Sequence, residues 1–267
     1  MFFPDKQFMV SLKNKLFMEV HAHTHTPRKK WTHYFWEFLM LFLAVFCGFL
    51  AENFREHTIN LEIERNNMKS FLKNLREDSV QLNKSIEVNE KRFRYLDTLI
   101  KLKSRETEDG DFKNEFVYYS LKVGFLNYFT SNQSNFRQMQ SSGTLRLIRK
   151  SGVLDSILNY ETHYEQIKHQ EDICMNWWYK AIEQDCILTD ITPLASLDAN
   201  KLWEVTLPEL KNINLPKISN EPFAFQQYFN WRVNERIALG YYIQYLQDEF
   251  SYLQKLIPFL KKEYHLK

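Results

Sequence analysis

Turn-forming residues are scarce in this chain. Its 267 residues include 6 Gly and 7 Pro, and no proline falls between Pro27 and Pro193. A many-stranded sheet needs such residues at every reversal, so that architecture is excluded and the chain reads as helical. Cysteine is equally sparse: Cys47, Cys174 and Cys186 are too few for a stapled mini-protein, and the length makes staples unnecessary. Charge of one sign is missing too, with 35 Lys+Arg against 33 Asp+Glu, which excludes a polycation built to coat nucleic acid. A hydrophobic share of 44% is enough to bury a core, so the chain is not a disordered one. No nucleophile elbow, P-loop, dinucleotide fingerprint or paired metal motif occurs. The chain is therefore expected to be no enzyme and to need no cofactor.

What is present begins with an asymmetry. Residues 1–33 hold six Lys/Arg against two acids, a balance of +4 within a total of +2, so the remainder carries −2. Directly after this basic end, Tyr34 to Ala51 run for 18 residues with one charge. As a helix that stretch is roughly 27 Å long, close to the ~30 Å hydrocarbon core of a bilayer. A buried core helix would keep a polar face, and none exists between Phe38 and Ala51. A cleaved signal peptide would want a short n-region and small residues before the cut, whereas 33 residues precede the run and no A-x-A follows it. The reading is a basic, His-containing cytoplasmic tail over 1–33 and a transmembrane helix over 34–54. Residues 55–267 then form a helical bundle on the far side. Arg28, Lys29 and Lys30 set the orientation by the positive-inside rule. Trp31, Tyr34 and Trp36 form the inner aromatic belt, and Phe38, Leu41, Phe42, Val45 and Phe49 meet lipid.

No Gly or Pro lies between Gly48 and Gly110, so the membrane helix has no coded stop at the surface. Continued to Ser104 it would reach roughly 105 Å and act as a stiff rod. Every seventh residue beyond the span is seam-like: Leu61, Met68, Leu75, Leu82, Asn89 and Leu96, with the polar Asn89 suited to fixing register. A second helix is expected over 112–128 and a short third piece from Ser131 or Asn132 to Gln140, closed by Gly143. A long helix with an aromatic, partly acidic stripe follows over 153–188. Pro193, Pro208, Pro216 and Pro222 punctuate an irregular excursion over 189–221. Pro222 opens the last helix, whose seam of Leu239, Ile243, Leu246, Phe250, Leu253 and Ile257 is the cleanest in the chain. The fold class is all-α: a transmembrane helix running into an elongated antiparallel bundle of about four long helices.

The strings Arg28-Lys29-Lys30-Trp31, His33 to Asn53 (HYFWEFLMLFLAVFCGFLAEN) and Ser141 to Ile148 (SSGTLRLI) carry a family likeness. The chain resembles an uncharacterised family of single-pass inner-membrane proteins of Gram-negative bacteria. The likeness covers the anchor, the first bundle helix and the region around Gly143. It implies an inner-membrane anchor with a periplasmic domain, and no activity.

Candidate sites are few. His21, His23 and His25 alternate, so an extended segment would put three imidazoles on one side and could hold Zn²⁺ or Cu²⁺; the alternative is a polar tail against anionic headgroups. Glu37 is the sole ionisable residue of the apolar run, a candidate for proton coupling, although one turn of depth also lets it snorkel to the interface. Glu171 and Asp185, with His163 and His169 near, could line a bundle-core metal site, against the plainer reading of seam polars. Cys174 and Cys186, roughly 18 Å apart on one helix, are expected to be buried free thiols. The expected partners are membrane lipid and a protein or a second copy of the chain, in an envelope scaffold or, alternatively, a ligand sensor.

Overall fold

The computed structural model describes residues 30–105, 110–198, 202–215, 218–219 and 221–266. Among them there is no strand. The helices are α1 (Trp31–Lys101), α2 (Gly110–Val123), α3 (Ser134–Ser141), α4 (Val153–Leu188), α5 (Leu207–Lys211) and α6 (Pro222–Tyr264), with 3-10 turns at Leu102–Ser104, Thr144–Leu147 and Thr192–Ser196. The chain divides between His57 and Thr58 into two units.

In the first unit, one helix near the N-terminus is long and apolar enough to cross a membrane, and its apolar window has no buried residue. Phe38, Phe42 and Phe46, four residues apart, stack in sequence at 6.2 and 5.9 Å. Glu37 faces His33 at 3.0 Å. His21, His23 and His25 lie outside the described residues.

In the second unit three helices are long: α1 from Thr58 onward, the 36 residues of α4 and the 43 of α6. Side chains cross-link them. Along α1 and the 3-10 turn after it, Glu64 meets Tyr264, Glu90 meets Gln247 and Lys103 meets Gln226, all on α6. Along α4, Ser156 meets Tyr252, Gln170 meets Ala238 and Asp185 meets Arg232, again on α6.

The second leg differs from the expected single helix over 112–128. Helix α2 stops at Val123, because Gly124 adopts φ +48°, a left-handed conformation that ends a helix. Residues 124–133 then run without helix before α3 begins. The leg still descends along α1: Arg92 meets Val123, Asn89 meets Asn127, Asn74 meets Asn132 and Asn67 meets Thr144.

Met68, Leu75, Leu82, Asn89 and Leu96 are buried on α1, and Leu239, Ile243, Leu246 and Leu253 on α6, while Phe250 and Ile257 are half-buried. Leu61 departs from the expected seam and is 48% exposed. The other legs reach α1 from Glu64 onward, where Tyr264 donates its hydroxyl at 2.5 Å and the Arg149 amide approaches at 3.4 Å.

Candidate functional site

A break inside a bundle leg creates a hydrogen-bonding problem, since residues 124–133 have neither a helix nor a sheet ladder to satisfy their backbone. Side chains from the neighbouring helices do so instead. Asn89 serves both backbone groups of Asn127, donating to its carbonyl at 2.8 Å and accepting from its amide at 3.2 Å. Ser85 donates to the same carbonyl at 2.8 Å, and Arg92 Nε donates to the carbonyl of Val123 at 2.7 Å. Asp78 accepts from the Asn132 amide, the Ser131 hydroxyl and the Tyr160 hydroxyl at 2.8, 2.8 and 2.5 Å. From α4 and α6, Glu171 and the Tyr242 hydroxyl both meet the Phe129 amide, at 3.3 and 3.1 Å. Asn89, expected from its seam position to fix register, bridges to non-helical backbone.

Two groups of charges lie around this lattice. The first is a buried chain of alternating sign. Arg92 Nη2 bonds Glu235 at 2.5 Å, Glu235 bonds Arg232 at 2.7 Å, and Arg232 bonds Asp185 at 2.6 Å. The second is acidic. Burial, followed by the Glu161 and Asp78 charges, pushes the Glu249 carboxyl up to about 8. Burial likewise pushes Glu161 up to about 7, with Asp78 and Glu165 adding to the rise. Glu249 Oε2 lies 2.7 Å from His163 Nδ1, and its Oε1 is buried without a partner.

Beside the break, the surface carries an aromatic cluster. Phe125 packs on Trp178 at 4.6 Å between ring centroids and on Trp203 at 5.8 Å, and Trp178 meets Tyr179 at 5.1 Å. Trp178 is buried, yet Phe125, Tyr179 and Trp203 are 59%, 56% and 46% exposed. Underneath lies an apolar cavity of about 110 Å³, walled by α2, α4 and the excursion after α4. Trp203 closes against Gly124, where a Cβ would come within 3.3 Å of its ring.

The residues singled out from sequence are not gathered into one place. Trp31, Tyr34, Trp36, Phe38, Leu41, Phe42, Val45 and Phe49 are exposed along α1 in the first unit. Among the described residues no group of three or more His, Cys, Asp or Glu could hold a metal ion. Glu171 is taken by Lys168 and Tyr242, Asp185 by Arg232, and His163 by Glu249. All three cysteines are free; Cys174 is buried as expected, whereas Cys186, expected to be buried, is exposed at the cavity. Sequence reasoning singled out Asn89 but missed the rest of its polar stripe, Asn74, Asp78, Ser85 and Arg92, buried on α1 amid the Leu seam. Its spacing of three, four and seven was a usable signal. It missed the roles of Trp178, Thr189 and Trp203, which come together only through the excursion.

No protein-family model, no curated protein and no solved structure matches the chain.

Proposed function

We propose that the chain is a membrane-anchored helical-bundle protein that serves as a scaffold or interaction subunit of an envelope complex. In this reading residues 34–54 span the inner membrane of a Gram-negative cell, the basic tail is cytoplasmic and the antiparallel bundle is periplasmic. The positive charge ahead of the span and the family likeness of the anchor support that topology. The observation that carries the interaction role is the aromatic cluster: Phe125, Tyr179 and Trp203 stay exposed together on a folded bundle. Exposed, contiguous aromatic surface of this kind marks a contact site, because a monomer gains nothing by leaving it in water.

Two experiments test the two halves. An alkaline phosphatase fused after Lys267 is active only when exported, so activity confined to a cytoplasmic reporter at that position overturns the topology. A photo-crosslinker at Tyr179 in living cells should trap a discrete membrane-protein adduct, or a chain dimer, that the same probe at the exposed Val80 does not. Equal patterns from both positions would sink the interaction role.

A second reading is favoured by one specific feature. The cavity beneath the cluster fits a ligand-sensing bundle that passes its signal to a partner subunit.

A further inference from the structure

The break in the second leg also opens a cleft toward α1. Val88, Lys91 and Tyr95 of α1 line it together with Lys122, Phe125 and Trp203, around a volume of about 410 Å³. Pockets for small ligands span ~300–1,000 Å³, so the cleft is large enough to hold one. Its backbone lining over residues 123–127 is held in place: Arg92 Nε donates to the Val123 carbonyl at 2.7 Å, and Asn89 serves both backbone groups of Asn127. A cleft built this way needs no ordering when a ligand arrives.

Two lysines stand at this cleft without a counter-charge. Lys122 Nζ donates to the Trp203 carbonyl at 2.5 Å, and Lys91 Nζ lies 5.9 Å from the centroid of the Tyr95 ring. Contacts to lining residues thus place both ammonium groups at the cleft. Neither has a carboxylate within ion-pair distance among the described residues. Arg92, the third cation here, is already neutralised by Glu235 at 2.5 Å. Burial, followed by the Lys91 charge, lowers the pKa of Lys122, with Glu204 and Glu209 opposing. Two like charges held near one another leave a positive potential that an anion relieves and a cation would worsen. A wholly hydrophilic anion would still leave Phe125 and Trp203, 59% and 46% exposed, in water.

We propose that this cleft binds a small amphipathic anion: a flat apolar body packed against Tyr95, Phe125 and Trp203, carrying a carboxylate that accepts hydrogen bonds from Lys91 and Lys122. The site is a property of the bundle alone and holds whether or not Tyr179 touches a partner.

The probe is 2-naphthoate, dialysed to equilibrium against the full chain in nanodiscs of phosphatidylcholine, with uptake by empty nanodiscs subtracted. One saturable site is expected. The neutral ketone 2-acetylnaphthalene has nearly the same shape and no charge, so it should bind at least tenfold more weakly. Lys91→Met and Lys122→Met keep the length of the side chain and lose the charge, and each should raise the Kd for 2-naphthoate roughly tenfold. Lys91→Arg should restore most of the affinity, and Lys255→Met, an exposed lysine on α6, should leave it unchanged. If Lys122→Met loosens the contact to Trp203, seen as a lowered Tm, the exposed Lys91 decides alone. No saturable uptake above empty nanodiscs, equal affinity for the ketone, or an affinity indifferent to Lys91→Met overturns the proposal. Loss of the site in that experiment would leave the Tyr179 crosslink, and with it the interaction role, untouched.

Discussion

At the scale of single residues, conformational demand and charge pairing give opposite signs to superficially similar changes. Gly124 sits at φ +48° with a would-be Cβ 3.3 Å from Trp203, so Gly124→Ala should cost about 1–2 kcal/mol for the left-handed backbone, with the ring contact added. Gly240 lies inside α6, and its would-be Cβ meets Phe93 at an ordinary 3.5 Å. Gly240→Ala should therefore stabilise by about 0.5–1 kcal/mol through helix propensity. Denaturant midpoints of the two variants check both signs at once, and two shifts in the same direction would refute this account. Glu235 is the residue on which the buried charges depend, because it separates Arg92 from Arg232 at 2.5 and 2.7 Å. Glu235→Gln leaves two guanidinium groups facing each other without an anion between them, and about 3–5 kcal/mol should be lost. A stability loss under ~1 kcal/mol would mean that the chain of charges opens to solvent.

At the scale of elements, periodicity was informative wherever a helix is held by apolar packing along its length. The seam of α6 and the bounds of α4 were legible for that reason, as was Pro222 at the start of α6 with Glu221 capping the Phe223 and Ala224 amides at 3.2 and 2.6 Å. The depth of burial along a seam was not legible. Leu246 is fully buried and Phe250 half-buried although both occupy seam positions, so Leu246→Ala should cost about 2–5 kcal/mol and Phe250→Ala distinctly less. Thermal melts of the two variants in the full chain test that order, and a larger loss at Phe250 would misplace the core. The break at 124–133 escaped notice because the residues preceding it are good helix neighbours. What ends the helix is one glycine and a set of side chains up to about 115 positions distant, such as Tyr242 on Asn127. The aromatic cluster and its cavity escaped for the same reason: α2, α4 and the proline-rich excursion must all be in place before Trp178, Thr189 and Trp203 share a wall.

At the scale of the whole molecule, the anchor and the acidic core make one further claim about conditions. The apolar helix left exposed in the first unit is long enough to cross a bilayer, and in the proposed topology the bundle occupies a compartment whose pH follows the surroundings. The buried carboxyls then matter. Glu249 and Glu161 are raised from 4.5 to about 8 and about 7, and burial also raises Asp78, against the pull of its bonds from Tyr160, Asn132 and Ser131. A carboxyl raised on folding binds its proton more tightly in the folded state, so its contribution is fully present below about 4.5 and is lost as pH rises through 8. The bundle should be more stable in mild acid than in mild base, with Tm falling between pH 5 and 9. Glu249→Gln removes the largest single contributor while keeping a partner for His163, so it should flatten the slope even if it lowers the maximum. Melts of both proteins across that range decide the matter: a Tm that is level or rising in the parent, or an undiminished slope in Glu249→Gln, would show that Glu249 is ionised inside the bundle and that its His163 contact is a charged pair.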